Sequence, residues 1–153
     1  MDKSHSGGYF KIEHYRDGKL LSKEVVPNLL MNVYPAVVSG LLGATGSQVA
    51  FTYLALGTSA TAVAATQTTL VAETVVSGLA RAAATVSRIT TTLTNDTLSL
   101  VKTFTAGGSA TIEEVGTFNA SSNGVMACRA LTTSKLLVLN DTIAITYTIQ
   151  FTV

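Results

Sequence analysis

A chain of 153 residues suits one domain with a sizeable core. Only 12% of its residues are charged, about half the ordinary share for a soluble globular protein, and Thr, Ser, Ala and Gly fill the deficit. Ten scattered Lys and Arg residues against nine Asp and Glu give a net charge of +1, so no basic run speaks for a nucleic-acid partner; the weak charge instead leads us to expect a surface largely covered by copies of the same chain, with a Thr-rich soluble monomer as the alternative.

The N-terminal stretch MDKSHSGGYFKIEHYRDGKL is polar and charged, so no cleavable signal peptide is expected and cytoplasmic synthesis is the expectation. Two strand-like runs, Tyr9–Tyr15 and Leu20–Val26, flank Arg16-Asp17-Gly18-Lys19, and Asp-Gly favours a tight hairpin turn. Nearly half of all charged side chains fall in residues 1–27, and none occurs between Glu24 and Glu73. This divides the chain into an N-terminal hairpin arm, 1–27, and a body, 28–153. Tyr9, Phe10, Tyr15, Arg16 and Asp17 are the candidate docking residues of that arm, since aromatics and arginine anchor interfaces; packing of the hairpin on its own body is the alternative. Both histidines, His5 and His14, lie here without a Cys or second His at ligand spacing, so no metal site and no cofactor is expected.

Asn28 is placed to cap a helix over residues 29–42, ending at Gly43 and kinked or split by Pro35. Residues 29–43 are the most apolar run, too short and too interrupted for a membrane span. Val49–Leu56 reads as a strand, and GTSATAVAATQTTL after it has the character of a loop.

From residue 79 the pattern becomes a succession of strands: Leu79–Leu93, Thr97–Thr105, Ser109–Phe118 and Val125–Leu131, parted by Asn-Asp, Gly-Gly and Asn-Gly turns. Thr132–Asn140 carries no clear pattern. Cys128, in VMACRAL, reads as a small buried hydrophobe. The last segment, DTIAITYTIQFTV, is apolar at every odd position from Ile143 to Val153 and carries no charge after Asp141. Such a strand belongs inside a sheet, or at an edge that another subunit covers. The expected fold is therefore mainly β: an antiparallel sandwich of jelly-roll type, with one short helix near 29–42 and an N-terminal β-hairpin.

Catalytic signals are poor. There is no phosphate loop, and no elbow motif surrounds a serine. Glu113 and Glu114 are adjacent on a strand and face opposite sides, so they do not make an acid/base pair. Glu114 shares its face with Ile112, Gly116 and Phe118 and is expected to point inward. Arg81 and Arg129 are its candidate partners, and a structural Glu114–Arg81 ion pair is the expectation. No enzymatic activity is expected.

The segments YLALGTSATAVAATQTTLVAE, LARAAATVSR, TIEEVGTFNASSNGVMACRAL and DTIAITYTIQF together resemble a group of bacteriophage virion proteins, related in pattern to the N-terminal domains of tail-collar fibre proteins. The positions that fit are Leu56-Gly57, Thr66, Leu70, Glu73 and Arg81 in the first half. In the second they are Glu114, Val115, Gly116, Phe118, Asn119, Gly124 and Ala127; Thr117 departs, standing where the group usually carries Leu. No shaft segment is expected after residue 153. The resemblance thus implies a virion structural module of the tail, neck or collar, with copies of itself and other virion proteins (tail, connector or major capsid protein) as partners. A capsid decoration protein is the alternative, and a carbohydrate-binding module drawing on Tyr34, Asn119 and Asn123 is a weaker one.

Overall fold

The computed structural model describes residues 7–152, which form two five-stranded antiparallel sheets packed as a β-sandwich with one short helix. His5 and the final Val153 lie outside the described residues.

The chain opens with β1 (Gly7–Arg16) and β2 (Lys19–Pro27), joined by the expected tight turn. Asp17 and Gly18 both take positive φ, 50° and 73°, as a hairpin turn that follows the right-handed strand twist requires. The two-residue β3 (Leu29–Leu30) follows, then α1 (Tyr34–Leu42). The helix is shorter than expected because residues 29–30 pair with a strand of the second sheet instead of winding. Asn28 is therefore not its cap, and Pro35 does not split it. Pro35 sits in the first helical turn, where its missing N–H costs no bond and its fixed φ favours the start of a helix.

Then come β4 (Tyr53–Gly57), a long connection over residues 58–81, β5 (Ala82–Ala83) and β6 (Thr85–Ile89). The single strand expected over Leu79–Leu93 is thus two short ones, because the chain changes sheets at Ala84, whose N–H is bonded to the Thr52 carbonyl. β7 (Thr97–Thr105), β8 (Ala110–Phe118), β9 (Met126–Leu137) and β10 (Thr142–Gln150) complete the fold. β9 runs through much of the stretch that lacked a sequence pattern, because two irregularities in its pairing with β8 interrupt the period of two.

Sheet A has the order β2-β1-β10-β7-β6 and sheet B the order β3-β9-β8-β4-β5. The terminal strand β10 is central in sheet A, bonded to β1 on one side and β7 on the other over its whole length. Ile143, Ile145, Tyr147 and Ile149 are all buried between the sheets. Each contributes roughly 1.5–3 kcal/mol of transfer free energy at most. Phe151 lies beyond the last paired residue and is partly exposed. The front hairpin supplies two of the five strands of sheet A, and Phe10 and Ile12 of β1 are wholly buried in the main core. It is part of the sandwich rather than an arm joined to a separate body.

A second, smaller apolar cluster lies on the outer face of sheet B. Met31, Ala55, Phe118 and Met126 are covered there by Leu70 and Val63 of the 58–81 connection.

Candidate functional site

The positions singled out in the sequence converge on that outer face of sheet B. Glu114 points inward, as expected, but towards the 58–81 connection and not between the sheets. The irregularity between Ile112 and Glu114 puts Ile112 into the main core with Val115, while Phe118 falls in the outer cluster. Glu114 is wholly buried and its partner is Arg129, also wholly buried, with Nε donating to Glu114 Oε2 at 2.6 Å. The expected Glu114–Arg81 pair is therefore corrected. Pairing places Arg129 opposite Gly116 and Glu114 opposite Leu131, which makes Glu114 and Arg129 diagonal neighbours on adjacent strands.

The remaining bonds of this pair reach the connection above. Glu114 accepts from the backbone N–H of Val71 at 3.1 Å and of Ala72 at 2.7 Å. Arg129 donates to Gln67 Oε1 at 3.0 Å and to the Thr61 carbonyl at 2.9 Å. Burying two charges is tolerable only when their remaining donors and acceptors are satisfied in this way. Gly57 is the complement of this geometry: a Cβ there would stand 2.4 Å from Glu114 Oε1, so only glycine lets the carboxylate lie against β4. Gly116 is likewise closed in by the Cys128 carbonyl and Leu70, each 3.0 Å from where a Cβ would be.

Arg81 makes a second clip. Its Nε and Nη2 form a fork on Glu73 at 2.8 and 2.6 Å, and Nη1 donates to the carbonyls of Ala120 and Asn123 at 3.2 and 2.7 Å. The guanidinium lies 3.5 Å from the centroid of the Phe118 ring. Glu73 also bridges to Gly57 through the backbone, and Gly124 sits with φ +71° in the turn that Arg81 holds. Gly57, Glu73, Arg81, Glu114, Gly116, Phe118 and Gly124 thus form one continuous fastening of the long connection onto sheet B. Glu113, by contrast, is half-buried and accepts from Ser134 Oγ at 2.5 Å.

The candidate docking residues part company. Phe10 is buried in the core with its ring centroid 4.9 Å from that of Tyr147, so it is not available to a partner. Tyr9 is 43% exposed, Tyr15 is half-buried, and Asp17 is exposed in the turn. Arg16 turns back on Asp141: Nε donates to Oδ1 at 2.9 Å and Nη2 to Oδ2 at 2.7 Å. His14 Nε2 lies 2.9 Å from the same Oδ2, and the Val138 N–H donates to it at 3.0 Å. The Arg16 guanidinium, with these further donors, holds the buried Asp141 carboxyl far below the usual carboxylate range. Neither His14 nor Asp141 stood out as a pair in the sequence, because 127 residues separate them. The same holds for Glu24 of β2 and the nearly buried Lys135 of β9, 2.6 Å apart, which tie the edges of the two sheets together with help from Thr132 and Thr133.

A cavity of about 290 Å³ lies at the end of the sandwich where α1 packs. Tyr34, Val38, Phe51, Leu98, Tyr147 and Ile149 are among its walls. Tyr34 is buried and stacks on Phe51 at 6.0 Å between centroids, which removes it from any exposed carbohydrate platform. Burial pushes the Tyr34 and Tyr147 hydroxyls and the neighbouring Cys128 thiol up from their ordinary pKa values. Among the described residues no cluster of His, Cys, Asp or Glu is arranged to hold a metal ion, and no helix is long and apolar enough to cross a membrane. No family model, curated protein or solved structure matches this chain.

Proposed function

We propose that this protein is a structural subunit of a bacteriophage virion, of the tail, neck or collar, which works by burying its surface against copies of itself and a connecting virion protein. The phage assignment rests on the resemblance of the segments quoted above, most of all EEVGTFNASSNGVMACR. The positions carrying that resemblance meet in one network that fixes a long connection rigidly onto a sheet.

The observation that carries the mechanical part of the reading is the surface. A body with 12% charged residues exposes large apolar side chains, among them Val75 at 88% and Leu42 at 85%. Apolar exposure at this level on a weakly charged molecule favours association. The buried charges described above are spent on internal pairing, which fits a role in architecture more than one in chemistry.

The test is to label the protein on particles and image them. Density at the tail, neck or collar is the expected result. Regularly spaced label over the head would replace this reading with capsid decoration, and absence from the particle would overturn it.

A further inference from the structure

Among the described residues, strand β6 is the outermost strand of sheet A and pairs only with β7, so its other side presents backbone N–H and C=O groups that no described strand pairs. All five of its residues are exposed. That includes Val86 and Arg88, which stand opposite Leu100, a wholly buried core residue, and Leu98, a wall of the cavity. They face the inside of the sandwich yet remain in water, because β5, the edge of sheet B, is only two residues long. The sandwich is open along this seam, and the 290 Å³ cavity lies there with Val86, Leu41, Leu42 and Phe151 around it, all exposed.

We infer that β6 pairs with β6 of a second copy, antiparallel about a two-fold axis through Ser87, merging the two A sheets and closing both cavities. The inference rests on the self-association proposed above and names its contact. A register centred on Ser87 is the one that overlaps all five residues. It sets Thr85 against Ile89, Val86 against Arg88 and Ser87 against Ser87 of the other copy. The one charge on the edge, Arg88, then never faces its like, and its aliphatic stem lies over the partner's cavity mouth. A net charge of +1 opposes no such pairing. A five-residue edge alone falls short of the roughly 1,200–2,000 Å² of a stable interface. The apolar rim, doubled by symmetry, extends it, and a small molecule in the cavity would leave that rim exposed.

Two variants of the full chain test this, read by light scattering and non-reducing gels. Residues directly opposed across an antiparallel pair have Cα atoms about 4.5–5.5 Å apart, within the range a disulfide spans. Under mild oxidation Ser87→Cys should therefore become mostly covalent dimer. Thr103→Cys, exposed in the interior strand β7, should not, and Cys128 is buried and does not interfere. Val86→Lys, which sets a second cation against the partner's Arg88, should weaken the dimer at least tenfold while the circular dichroism spectrum of the folded chain stays unchanged. If the wild type associates, but Val86→Lys associates equally well and Ser87→Cys crosslinks no more than Thr103→Cys, the β6 contact is wrong while self-association stands. A wild type that is monomeric at every concentration overturns both.

Discussion

At the scale of single residues, the buried Glu114–Arg129 pair is the costliest thing to disturb. Glu114→Ala leaves Arg129 charged, wholly buried and short of its carboxylate, at a cost of about 3–5 kcal/mol. Glu73→Ala should cost clearly less, because the Glu73 side chain is 26% exposed and water can replace it around Arg81. Urea unfolding of the two variants measures this order, and equal losses would contradict it. Asp141 sets the response to acid. Its folded-state pKa is depressed, so its stabilisation is present above the unfolded carboxylate value of about 4 and is lost as pH falls below it. Asp96 acts with the same sign, since it accepts the N–H groups of Thr91, Thr92 and Leu93. Asp141→Asn should therefore be less stable than the wild type at pH 7 and lose less than the wild type between pH 7 and pH 3. Melting curves that fall in parallel would remove Asp141 from that role.

At the scale of elements, the hairpin gives the sharpest expectation. Because β1 is bonded along β10 and buries Phe10 and Ile12, deleting residues 1–27 should yield an unfolded or aggregated chain and not a stable body. A cooperative melt of the truncated chain would contradict this. Hydrogen exchange gives a second reading of the same sheet: amides of Ile143–Ile149, paired on both sides, should exchange only through global unfolding. Strands β1, β2, β7, β8 and β10 were legible in the sequence from their apolar patterning and the turns between them, as was the Asp17-Gly18 turn. That the hairpin belongs to the sandwich was not, because a cluster of charges marks where water reaches a strand's outer face and says nothing of what its inner face packs against. Lys11 and Glu13 alternate with the wholly buried Phe10 and Ile12. Glu114 was legible as an inward carboxylate, whereas its partner depended on the β8–β9 register, which the irregularities between those strands obscure.

At the scale of the whole molecule, the fold accounts for a terminal strand of core quality: the chain closes by placing β10 between its first strand and β7, so the last element completes sheet A. It does not quiet the rest of the surface. Leu42, Val49, Leu93 and Phe151 stay exposed at the end of sheet A where β10 finishes and β6 turns into β7 or in the residues beside α1, and Val75 and Leu139 are exposed elsewhere. So much apolar surface on a chain of 15.9 kDa is the core of the case for assembly. The most direct measurement is the mass of the purified full-length chain by light scattering over a wide concentration range. A mass that is a defined multiple of 15.9 kDa is the result this account expects, and a mass of 15.9 kDa at every concentration would contradict it.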